Sequence, residues 1–113
     1  MGSPHDVGGH ELMGARLTPN RGTAPSRDEL SVRFAEEGLR PRWWGNAADD
    51  VYGSHEHEHA KVLYCLEGSI TFHTDGGDLE LRPGDRLDLD AGTSHAATVG
   101  PNGVTCVEAY VEG

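Results

Sequence analysis

His55-Glu56-His57-Glu58-His59-Ala60, followed directly by Lys61-Val62-Leu63-Tyr64-Cys65-Leu66 and then Glu67-Gly68, is the stretch on which the reading of this chain turns. Its first half sets histidines at alternate positions. Its second half is a short apolar run ended by a turn signal. On a strand, residues two apart share a face at a spacing of about 6 to 7 Å. Two imidazoles so placed can converge on one ion, with metal–nitrogen distances of about 2.0 to 2.1 Å for zinc. A His-x-His pair taken alone is equally at home in a solvated polar loop, so its surroundings decide.

Outward from this stretch the texture is β. Short apolar or alternating runs cover 42–44, 61–66, 69–73, 79–81, 86–89, 96–99 and 104–111. Turn clusters separate them, among them Glu67-Gly68, Asp75-Gly76-Gly77, Pro83-Gly84-Asp85, Ala91-Gly92-Thr93 and the segment from Gly100 to Gly103. Asp75-Gly76-Gly77 is a strong tight-turn signal between two strands. Some seven short strands in so few residues imply a small sandwich or barrel that closes its own edges. Trp43 and Trp44 fall on opposite faces of a strand, so one serves the core and the other an interface or the outside.

Upstream, Ser26-Arg27-Asp28-Glu29 fits a capping box, with a short helix running to Glu37 and stopping at Gly38. Leu30, Val32 and Phe34 alternate as in a strand, and that is the competing reading. Residues 1–25 are rich in Gly, Pro, Asn and Ser without a hydrophobic period, and read as a flexible or irregular arm ahead of a domain over 26–113. His5 and His10 in this arm are expected to be solvated.

Composition narrows the function classes. The 113 residues suffice for one domain. No run approaches the ~18 to 20 apolar residues of a membrane span. The net charge of −10 repels phosphate backbones, which argues against nucleic acid as a partner. The opening residues lack the basic start and apolar stretch of a secretion signal, so a cytoplasmic location is the default expectation. Cys65 and Cys106 then read as free core thiols in preference to a disulfide. Eight of the nine basic residues are Arg, and Lys61 is the only lysine.

Two stretches carry a family resemblance. His55-Glu56-His57 with Lys61 through Gly68 resembles the first cupin motif, G-x5-H-x-H-x(3,4)-E-x6-G. Gly84 through His95 resembles the second, G-x5-P-x-G-x2-H-x3-N, with Gly84, Gly92 and His95 in register. The resemblance covers about 42–111 and implies an all-β fold, a cupin jelly-roll β-barrel of RmlC-like type. It also implies a divalent transition metal in the barrel mouth, held by His55, His57 and His95. Small cupins often pair through edge strands, so a homodimer is implied too.

The departures are informative. The first motif's opening Gly falls on Asp49, with Gly53 nearby but out of register. The second motif's Pro is Asp90 and its Asn is Val99. The glutamate ligand position is Lys61. A protonated lysine has no acceptor and cannot ligate a cation. Three readings of Lys61 stand: it pairs with a carboxylate such as Glu108 at the rim, it orients an anionic group of a ligand, or it serves as a base. His59, in the connection after the His-x-His pair, is a candidate replacement ligand. His73, two residues before a tight turn, reads as exposed. Three imidazoles suit zinc, iron(II), nickel or copper, and cupins commonly carry iron, manganese, zinc or nickel.

There is no phosphate loop opening a helix and no Gly-x-Ser nucleophile elbow. Asp85, Asp88 and Asp90 lack the Gly and terminal Glu of a calcium loop. The leading expectation is a mononuclear metal site acting on a small polar or anionic molecule, with dioxygenase-like or isomerase-like chemistry. Its rivals are a non-enzymatic small-molecule or anion-binding sensor and a structural cupin with an unused site.

Overall fold

Two long strands organise the molecule. The computed structural model describes residues 10–12, 14–56 and 58–111. In chain order these form β1 (His10–Leu12), β2 (Ala15–Thr18), α1 (Arg27–Glu36), β3 (Arg42–Asn46), β4 (Val51–His55), β5 (Ala60–Thr74), β6 (Gly77–Leu81), β7 (Arg86–Leu89) and β8 (His95–Val111). β5 and β8 pair antiparallel from Ala60–Val111 at one end to Thr74–His95 at the other. The first half of this ladder carries β7, β2 and β1 on the β5 side and β3 on the β8 side. The second half carries β6 on β5 and β4 on β8. The barrel is therefore two small sheets that share their central strands.

The ladder slips register between Cys65 and Glu67 and again between Gly68 and Ile70. The first inserts one extra residue in β5 and the second three in β8, and such odd-numbered slips move alternate side chains to the other face. Leu63 and Cys65 point inward before the slips, and Ile70 and Phe72 point inward after them. Glu67-Gly68 and Gly100 to Gly103, read from sequence as breaks, are bends inside continuous strands. Gly68 has φ of 76°, and a Cβ there would lie 1.9 Å from the Gly103 carbonyl oxygen. A glycine is needed because two backbones meet at the bend.

The interior cluster takes residues from both sheets, among them Leu63, Phe72, Leu81, Leu87, Val99 and Cys106. A second cluster lies on the outer face of β5 and β8, where Leu30 and Phe34 of α1 cover Val62, Tyr64, Val107 and Ala109. Residues 61–65 are consequently buried on both faces, which is why they read as a continuous apolar run. Each fully buried Leu or Phe here contributes about 1.5–3 kcal/mol of hydrophobic stabilisation.

The helix reading prevails over the strand reading upstream. Leu30 and Phe34, four apart, are buried while Val32 between them is 55% exposed. The capping box is complete: Glu29 N donates to Ser26 Oγ at 3.1 Å and Ser26 N donates to Glu29 Oε1 at 2.8 Å. Trp43 and Trp44 divide as their alternation requires, Trp43 against the helix cluster and Trp44 against the interior.

Two expectations are corrected. Residues 10–12 and 15–18, placed in an irregular arm, are strands. Ala15 and Leu17 are buried and β2 pairs with β7, so long-range pairing supplies an order that local composition does not show. β4 was absent from the apolar runs because four of its five residues are exposed. The remainder of the arm read from residues 1–9, including His5, lies outside the described residues, as does His57.

Candidate metal and ligand site in the barrel

β4 and β8 bring two of the expected histidines together. His55 ends β4, His95 begins β8, and the two are partners in the ladder. Their ring centroids are 4.4 Å apart at 59°. His95 is 3% exposed, and His55 stands open at the mouth. His55 Nδ1 lies 2.9 Å from the Gly53 carbonyl oxygen, and His95 Nδ1 lies 2.9 Å from the Thr93 carbonyl oxygen. A carbonyl oxygen only accepts, so both Nδ1 atoms carry a proton, and in the neutral ring Nε2 is then the atom with the lone pair. Metal-binding histidines are oriented in this way by backbone carbonyls.

This tautomer arrangement makes His55 and His95 fit as ligands of a transition metal. The expected third, His57, is outside the described residues. Among the described residues no group of three His, Cys, Asp or Glu side chains is gathered as a metal cluster. His59 is exposed and packs edge-on to Tyr110 at 6.1 Å, away from the cavity that His55 and His95 line. His73 lies on the outer face, with Nδ1 2.9 Å from Asp78 Oδ1 and Nε2 2.8 Å from Thr98 Oγ1.

The two histidines open into a cavity of about 300 Å³, whose walls include Trp44, Lys61, Phe72 and Glu108. Lys61 and Glu108 point inward because they share the face of Leu63 and Cys106 on β5 and β8. Both are 7% exposed. Lys61 Nζ lies 3.2 Å from Glu108 Oε1, and the Trp44 indole N–H donates to the same oxygen at 3.0 Å. Arg42 Nη2 stands 3.6 Å from Oε2, and its side chain is 70% exposed. The first of the three readings of Lys61, pairing with Glu108, is thus the contact the structure contains. The pair lies inside the barrel, where the low dielectric strengthens it and also makes it costly to break.

Sequence reasoning missed Trp44 as a donor to Glu108. An inward indole opposite Cys106 sits two positions from the Arg42–Glu108 pairing, on the face that Glu108 shares. It also missed the mouth contacts. The Tyr52 hydroxyl meets Asn46 Oδ1, and Asp50 Oδ2 accepts from the Ala47 backbone at 3.1 Å. Burial, with the nearby Asp50 charge, raises the Tyr52 phenol above its ordinary value.

A family model described as "Cupin domain" matches residues 46–106, over half of the chain. The chain belongs to the cupin family. A stretch of 52 residues is 40% identical to quercetin 2,3-dioxygenase of Bacillus subtilis (strain 168), covering 46% of this chain and 15% of that protein. Among solved structures, a cupin superfamily protein from Desulfitobacterium hafniense DCB-2 is similar at TM-score 0.59 and 12% identity, covering 92% of this chain and 83% of that one. An RmlC-like cupin from Shewanella frigidimarina NCIMB 400 is similar at TM-score 0.57 and 18% identity, covering 86% and 75%. At these identities the structures bear on fold alone. Among the described residues no helix is long and apolar enough to cross a membrane.

Proposed function

We propose that the barrel holds one divalent transition metal through His55, His57 and His95, and acts on a small molecule seated in the adjoining cavity. The observation that carries this reading is the matched tautomer of His55 and His95, each with its Nδ1–H on a backbone carbonyl. Three neutral imidazoles leave coordination positions open, and an open site provides Lewis-acid or oxygen chemistry. The likeness to a quercetin 2,3-dioxygenase over 52 residues favours a dioxygenase-like reaction over an isomerase-like one. The work of this chain's own residues is positional. Trp44 and Phe72 form apolar walls for a ring or chain, and Lys61 with Glu108 offers a donor beside an acceptor.

A second reading has a specific observation behind it. The motif's carboxylate ligand is replaced by Lys61, so metal affinity falls, and a binding module without turnover follows. Metal analysis of the purified full chain after loading with iron(II), manganese, nickel or zinc separates the two. The metal-centre reading expects close to one ion per chain, lost in His95→Ala. Uptake well below one ion for every metal sinks it. A homodimer and a cytoplasmic location remain part of the proposal.

A further inference from the structure

The Lys61–Glu108 pair makes a statement about ligand charge that the single lysine in the motif does not. Lys61 in isolation would favour an anion. Glu108 cancels that charge at 3.2 Å, with both side chains almost wholly buried. Among the described residues Glu108 is the only acid on Lys61, and the carboxylate itself takes Lys61, Trp44 and Arg42. An ionised ligand group pushed against this buried pair would be desolvated without a buried countercharge left to meet it, since the cavity's other cation on Glu108, Arg42, is 70% exposed and screened by water. A neutral group loses little water and can use what remains. The ammonium has three N–H donors and spends one on Glu108, while the carboxylate has about four acceptor sites and spends three.

We infer that the wall formed by Lys61 and Glu108 selects an uncharged ligand group with a hydrogen-bond acceptor beside a donor, such as a carboxamide or a hydroxy-carbonyl, carried on an apolar ring. The inference rests on reading this cavity as the ligand site. The acceptor faces Lys61 Nζ, the donor faces the Glu108 carboxylate, and the ring lies among Trp44, Ile70 and Phe72. The pair thereby sets specificity: removing Glu108 leaves a buried ammonium unpaired, and removing Lys61 leaves a buried carboxylate whose remaining cation, Arg42, is largely in solvent, so each change shifts the preference towards the opposite charge.

Three probes of nearly equal shape test it: benzamide (neutral), benzoate (anionic) and benzamidine (cationic at neutral pH). Binding to the metal-free full chain is measured by calorimetry, so that a carboxylate cannot report on a metal instead of the wall, and metal uptake is measured separately. Wild type is expected to bind benzamide at least about tenfold tighter than either ion, the discrimination of one well-placed polar contact. Glu108→Gln keeps an acceptor for Trp44 and should shift the preference to benzoate. Lys61→Met should shift it to benzamidine. Equal or tighter binding of benzoate by wild type overturns the inference, as does an unchanged ranking in both variants. If Glu108→Gln fails to fold by circular dichroism, the wild-type ranking and Lys61→Met decide. No binding of any probe with normal metal uptake also overturns it and leaves the metal reading standing. Charge selection without metal uptake does the reverse.

Discussion

Lys61 and Glu108 stand on neighbouring strands with Nζ and Oε1 3.2 Å apart, inside the barrel and within the same cavity as His55 and His95. One residue occupies the place where the motif has an acidic ligand, and the other supplies a carboxylate from a different strand. The acid is present but transposed, and it is committed to an ammonium, an indole and a guanidinium.

The two halves of the pair should differ in what their loss costs. Glu108→Ala leaves a buried ammonium with no acid beside it, and should destabilise by about 3–5 kcal/mol. Lys61→Met leaves Glu108 still held by Trp44 and Arg42, and should cost less. Urea unfolding of both variants checks the order, and a costlier Lys61→Met would contradict it.

Arg86 fastens the helix to the barrel. Its guanidinium reaches Glu37 Oε2 at 2.7 Å and Oε1 at 3.1 Å, at the helix C-cap, and also Asp88 and the Tyr64 hydroxyl. Arg86→Met should cost about 2 kcal/mol, the range for bonds to charged groups. The hydrogen bond from Arg86 lowers the Glu37 carboxyl below its ordinary value of 4.5. A lowered pKa means stability that is fully present above 4.5 and is lost as pH falls through the folded value. The gap between wild type and Arg86→Met in thermal melts should therefore narrow on acidification below pH about 4.5. A gap that widens there would refute the link.

Cys65 and Cys106 are free, face each other across β5 and β8, and are both 0% exposed. The hydrogen bond with Cys65, then burial, pushes the Cys106 thiol far above its ordinary value. Both sulfurs are closed off from solvent and Cys106 is held as the unreactive thiol, so neither cysteine should take iodoacetamide in the native protein. Both should be alkylated in denaturant. Mass spectrometry reads the difference, and rapid native labelling would show that the barrel opens.

Phe34 is 1% exposed and meets the Tyr64 ring edge-on at 5.6 Å and 78°. Phe34→Ala should remove about 3–5 kcal/mol, a large part of what a domain this small has to spare. Loss of cooperative unfolding, or a melting point far below wild type, is the expected result. A shift of only a degree or two would mean that the helix contributes little to the barrel.

What the sequence revealed depended on the range of the interaction. The Ser26–Glu29 box spans one helical turn, and it reads correctly because both partners are local. Trp43 and Trp44 separate by strand alternation alone. His55 and His95 are far apart in the chain, and only the paired motifs joined them. β2 and β4 escaped notice because their order comes from ladder partners: Leu17 opposite Leu87, and Val51 opposite Thr98. Gly68 misled for a related reason. Locally it signals a turn, whereas its role is to let the chain pass close to Gly103.

The shared strands also set an order of assembly. The β5–β8 ladder is nested, with Thr74–His95 enclosing the shortest loop and Ala60–Val111 the longest. Loop closure costs more entropy as the enclosed chain lengthens, so zippering is cheapest from the His95 end. The histidine pole of the cavity would then take shape early, and the Lys61–Glu108 wall would close last. In the folding chain that wall waits until Glu108, near the far end of β8, has paired with β5 opposite Leu63.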